Sequence, residues 1–159
     1  MEKLYISPFN FNGIILYHEM QRKGMKIEGF LESNSYLWNK SYAGVGIYQR
    51  CYIPNSRIIV CANKTNTRMA IRNHLLEMGY ENDKIEQLHY SVDILNVFED
   101  ILIDDLLKIF PKTNNALMCW IENVIKLKKM KEENIDVRKI SYEDLFDLNR
   151  KEVYNGIVI

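Results

Sequence analysis

In the first 92 residues, short continuous apolar runs alternate with polar turns and with apolar stripes at helical spacing, a strand-helix-strand grammar. Residues 3–6 read as a strand, 7–12 as a polar turn, and Gly13 opens a helix that runs to Lys23. Ile14, Ile15, Leu16, Tyr17 and Met20 form the apolar stripe of that helix, and the polar residues between them place His18 toward solvent. Arg22 and Lys23 suit the negative end of the helix dipole, and Gly24 suits the position just past the helix end. Residues 26–31 read as the next strand, ending in Glu32-Ser33-Asn34.

A second unit repeats the pattern. Residues 57–62 are nearly continuously apolar, as in a parallel strand covered on both faces. Residues 63–67 supply a polar turn with several candidate N-caps, and a helix carrying Met69, Ile71, Leu75, Leu76 and Met78 stops at Gly79. Tyr80 and Met25 each follow a glycine where a Schellman ending places its hydrophobic contact. Residues 84–88 form the following short strand, and 35–56 are a loop-rich connection with one short strand at 46–48. This alternation predicts an α/β domain over 1–92, a parallel sheet with right-handed crossovers.

The pattern changes after residue 92, where 93–159 read as a mainly helical extension packed on the first part. Ile94, Leu95, Phe98, Ile101, Leu102, Leu106 and Phe110 recur at helical spacing up to Pro111. Leu117, Trp120, Ile121, Val124 and Ile125 mark a second amphipathic helix that fades into 126–133. Ser141 and Asp144 resemble a capping box for a short helix through Leu148, and 156–159 suit a last strand.

Composition narrows the classes. The chain has 159 residues, is 47% hydrophobic and 26% charged, and carries 21 Lys plus Arg against 21 Asp plus Glu. That balance creates no global field for nucleic acid or an anionic membrane. The longest apolar runs fall short of the ~20 residues a membrane span needs, so membrane insertion is not expected. Three cysteines without a CxxC pair argue against a disulfide framework or a zinc site. With no signal-peptide core at the start, a cytoplasmic location is the expectation. The acidic patch of Glu99, Asp100, Asp104 and Asp105 and the basic patch of Lys126, Lys128, Lys129, Lys131, Arg138 and Lys139 suit a charge-complementary contact, within or between chains.

A helix start above a strand end is an anion site, because unpaired N–H groups and the helix dipole point at it. Taking Gly13 as the third glycine of G-x-G-x-x-G puts Pro8 and Asn10 where the first two belong. Pro8 has no N–H to donate, and the side chain of Asn10 fills space that glycine leaves open. Gly13 then either lets the helix pack closely on the sheet or helps hold a different anion, with Asn10 and Asn12 beside it. Glu32, about 20 residues on, is where a dinucleotide fold hydrogen-bonds ribose; the other reading is a solvated strand-end carboxylate. Asn34 follows it. Asn63, Lys64 and Thr65 occupy the carboxyl end of the strand at 57–62, where open α/β sheets bind ligands. Lys64 suits a phosphate partner or a plain exposed helix start. Trp38 suits stacking on a base or sugar, or sealing the core edge. His18, His74 and His89 share no motif, and Cys61 reads as a small buried hydrophobe.

Residues 6–88 resemble the N-terminal Rossmann-like domain of bacterial sugar-nucleotide-modifying proteins of the PglD type. The segments that carry the resemblance are residues 13–20 with Gly24, the run Ile27-Glu28-Gly29-Phe30-Leu31-Glu32-Ser33-Asn34, and residues 44–48, 58–62 and 75–79. It implies a three-layer fold, an acidic residue after the second strand's Gly-Phe, which Glu32 supplies, and a nucleotide or nucleotide-sugar ligand with no metal. The family's glycine-rich turn is lost, and no left-handed β-helix repeats follow. Two functions are therefore expected in competition. One is an accessory module that binds a nucleotide, nucleotide sugar or sugar phosphate beside a catalytic partner. The other is a ligand-free module for protein contact or self-association through the C-terminal helices.

Overall fold

The computed structural model describes residues 2–88 and 93–139. His89, the helix expected from 141 and the strand expected at 156–159 lie outside the described residues. The described residues form a six-stranded, mostly parallel sheet and four α-helices, an α/β fold. The strands are β1 (Lys3–Ser7), β2 (Gly29–Glu32), β3 (Ser41–Tyr42), β4 (Val45–Gln49), β5 (Ser56–Val60) and β6 (Ile85–Gln87), and the helices are α1 (Phe11–Arg22), α2 (Thr65–Glu77), α3 (Ile103–Ile109) and α4 (Asn115–Glu132). The sheet order is β3-β4-β2-β1-β5-β6, with every neighbouring pair parallel except β3 and β4.

The antiparallel edge departs from the all-parallel expectation. Ala43 and Gly44 have φ of 54° and 75°, the positive values a two-residue hairpin of type I′ needs. Asp105 holds the hairpin by accepting the Ala43 N–H at 2.8 Å.

Successive side chains of β1, β2 and β5 alternate between two cores. Ile6, Phe30 and Ile59 join α1, α3 and α4 in one, while Tyr5, Leu31, Ile58 and Val60 join Ile71 and Leu75 of α2 in the other. Residues on both sides of position 92 share the first core, so 93–139 packs on the sheet's α1 side. The second is crossed by the β4–β5 connection, which the Tyr80 hydroxyl clasps by donating to Cys51 O at 2.7 Å and accepting from Ile53 N at 3.0 Å.

Helix ends follow local chemistry. Asn10 caps α1 by accepting from Gly13 N at 2.8 Å, so the helix begins two residues before Gly13. Gly24 and Gly79 close α1 and α2 in Schellman geometry, with Met25 N bonded to Met20 O and Tyr80 N to Leu75 O. Asn134, at φ 61°, closes α4 in the same way.

The helix expected from Ile94 to Phe110 does not form as one piece. Two 3₁₀ turns (Ile94–Asn96 and Phe98–Asp100) precede the short α3. Tertiary partners take the backbone groups a helix would use: Leu102 N donates to the Tyr42 hydroxyl at 2.9 Å, and Ile101 O accepts from Lys128 Nζ at 2.8 Å.

His18 is also not on a solvent face. It is buried, with Nε2 2.7 Å from the Tyr42 hydroxyl, because β3 places Tyr42 against a side of α1 that the sequence leaves polar. Within the chain, the expected charge contact takes the form of a Lys131–Glu99 pair at 3.4 Å. Among the described residues no helix is long and apolar enough to cross a membrane.

Candidate functional site

From β1 the chain builds outward to β2 and β4 on one side, and β5 and β6 lie on the other. The order of addition therefore reverses between β1 and β5, and open α/β sheets bind ligands outside the strand carboxyl ends at such a point. Ser7, Glu32 and Val60 end the three central strands there.

Glu32 is buried at 6% exposure, so it is not a solvated carboxylate. Its Oε1 accepts from Phe9 N at 3.0 Å and its Oε2 from Asn34 N at 2.7 Å. Its main-chain oxygen accepts from Trp38 Nε1 at 2.8 Å and from Arg50 N at 3.0 Å. One carboxylate thus joins Phe9 of the β1–α1 turn to Asn34 in the segment after β2. Asn34 turns its side chain to Tyr36 N at 3.1 Å. Asn12 is buried. Trp38, half-buried and tied to Glu32, lies along the same segment.

Gly13 serves a close approach. A methyl group there would lie 2.6 Å from Pro8 O, a contact with backbone that no rotamer relieves. Gly13→Ala is therefore expected to destabilise the fold by about 1–3 kcal/mol, the usual cost of overpacking, read as a lower urea midpoint with unchanged slope.

Asn63, Lys64 and Thr65 are exposed at the start of α2. Their turn is braced by Arg68, which donates to Ala62 O at 2.7 Å, Asn63 O at 2.9 Å and Thr65 Oγ1 at 3.0 Å. These bonds run within the turn and not to Glu32 or Asn34, so it stands as a separate group. Lys64 makes no side-chain cap bond.

Sequence reasoning missed Arg50 and His74. Arg50 follows β4 and is buried at 7% exposure, with Nε 3.2 Å from Ser7 Oγ and Nη1 3.3 Å from His74 Nδ1. Ser7 passes the bond on to Leu31 O at 2.8 Å. Burial lowers the Arg50 pKa, and the charge of Glu32 opposes that shift. The only sequence signal for it is a cation placed immediately after a short strand.

Two adjoining hollows of about 360 and 500 Å³ share Arg22, Asn96 and Arg138. They lie past the far end of α1, which at 12 residues spans about 18 Å. Arg22 there pairs with Asp100 at 2.6 Å, and Arg138 donates to Asn96 Oδ1 at 2.6 Å. Burial pushes the Cys61 thiol up to about 12, so it is an inert apolar group. Among the described residues no three His, Cys, Asp or Glu side chains converge as a metal site requires.

No protein-family model, curated protein or solved structure matches this chain.

Proposed function

We propose that the chain is a Rossmann-like module that binds a nucleotide, a nucleotide sugar or a sugar phosphate at the carboxyl edge of its sheet. It would act beside a catalytic partner in bacterial surface-polysaccharide or sugar-nucleotide metabolism, as its resemblance to PglD-type domains implies. The observation that supports the reading is the strand order. The parallel strands β4-β2-β1-β5-β6 are, in order of appearance along the chain, third, second, first, fourth and fifth. Those are the first five positions of the doubly wound order 3-2-1-4-5-6, whose crevice binds dinucleotides where it reverses.

The second reading is a ligand-free contact module, and one observation favours it. Two donors of the β1–α1 turn, Phe9 N and Gly13 N, and the Glu32 carboxylate are already bonded within the chain. Against it, the apolar stripes of α3 and α4 that it would use are buried on α1 and the sheet.

A thermal-shift screen with NAD, NADP, UDP-sugars and acyl-CoAs at millimolar concentration separates the two. A ligand at a hundredfold excess over its Kd adds about 2.7 kcal/mol to the native state. Stabilisation by a nucleotide or nucleotide sugar is expected. No shift with any compound, together with concentration-dependent self-association, would replace the first reading by the second.

A further inference from the structure

We propose that the phosphoryl group of this ligand is held by Arg50, on the side of the sheet that faces α2, and not at the start of α1. The inference rests on the ligand-binding reading above and names the group that makes it work.

Several groups at the start of α1 are already used within the chain. Pro8 carries no N–H, Phe9 N is bonded to Glu32, Gly13 N to the Asn10 side chain, and Ile14 N to Asn10 O. The ring of Phe11 stacks on Trp120 with centroids 4.9 Å apart, so α4 crowds the same helix start. Above all, a carboxylate is already there. Glu32 fills the role an external phosphate has in a glycine-rich turn, and its charge repels a second anion.

Arg50 presents the opposite situation. A guanidinium has five N–H donors and no acceptor. Two are used, one on Ser7 Oγ and one on His74 Nδ1, which leaves three without a protein partner. Among the described residues no carboxylate lies within ion-pair distance, although the side chain is buried at 7% exposure. A buried cation without an ion-pair partner, with only the more distant charge of Glu32 to offset it, costs stability, and perturbed groups of this kind concentrate at functional sites. Because arginine can only donate, Nδ1 of His74 is the acceptor and its proton sits on Nε2. His74 itself is exposed. A guanidinium fork suits two oxygens of a phosphoryl group.

The test uses the full chain and two probes, inorganic pyrophosphate and UDP-glucose. NMR follows the Arg50 Nε–Hε resonance together with the backbone amides. Calorimetry gives affinities for wild type, Arg50→Lys and Arg50→Met. The expected result is a shift of the Arg50 resonance on titration, at least tenfold weaker binding in Arg50→Lys, and none in Arg50→Met. If Arg50→Met does not fold, the wild-type resonance and the charge-conserving Arg50→Lys decide the matter. Probe binding that moves the amides of Phe11 and Asn12, leaves the Arg50 resonance still and is unchanged in Arg50→Lys would overturn this inference while sparing the ligand-binding reading. Failure of both probes and of every nucleotide in the thermal-shift screen would overturn both.

Discussion

Trp120→Ala is expected to cost about 3–5 kcal/mol, the range for removing a large aromatic from a core. That is a large part of the roughly 5–15 kcal/mol that holds a domain of this size together. Trp120 is fully buried on α4, with its ring stacked on Phe11 at the first turn of α1. It sits in the same cluster as Ile6, Phe9 and Phe30 of the β1–β2 region. The lost contacts therefore lie between the C-terminal helices and the sheet, and the cost should appear in one cooperative transition. Urea denaturation followed by far-ultraviolet circular dichroism checks this. A wild-type-like midpoint, or a separate early transition for the helices alone, would show that 93–139 does not stabilise the sheet. Trp120→Phe should cost much less, because the buried indole N–H has no hydrogen-bond partner to lose.

Acid should weaken the fold through His18. Burial lowers its pKa from 6.5 to about 4, with Asp100 opposing the shift and Arg22 and Lys128 adding to it. The folded state then holds fewer protons than the unfolded chain between these two values. The stability this histidine contributes is complete above pH 6.5 and is lost as the pH falls toward 4. At pH 4.5 the loss amounts to about 2–3 kcal/mol relative to pH 7. The local chemistry agrees with the sign. The Tyr42 hydroxyl accepts from Leu102 N and can donate to Nε2 of a neutral His18, whereas a protonated ring would press a second donor on it. His18→Gln removes the titration and keeps an acceptor for Tyr42. Urea midpoints of wild type and variant at pH 7 and 4.5 should converge at the lower pH. An equal pH dependence in both proteins would remove His18 as the cause.

How far the site was legible depended on how local each determinant is. Gly13, Glu32 and the 63–65 turn are visible because strand ends and helix starts carry their own residue signals. What Glu32 does with its carboxylate is not visible, since its two partners, Phe9 N and Asn34 N, are backbone groups with no sequence signature. Arg50 escaped notice because its neighbours come from β1 and α2, 43 and 24 residues away.

The same division holds for the fold. Apolar periodicity, Gly24 and Gly79 by themselves determined α1, α2, α4 and the central strands, because those features act within a few residues of chain. The helical spacing of 94–110 was as regular, yet only α3 formed. There the tertiary structure decided, since Tyr42 and Lys128 satisfy the backbone at 101–102 and release it from the helix. It decided His18 in the same way. A polar residue between apolar neighbours points to solvent only while nothing packs over it, and here Tyr42, 24 residues further along the chain, packs against it.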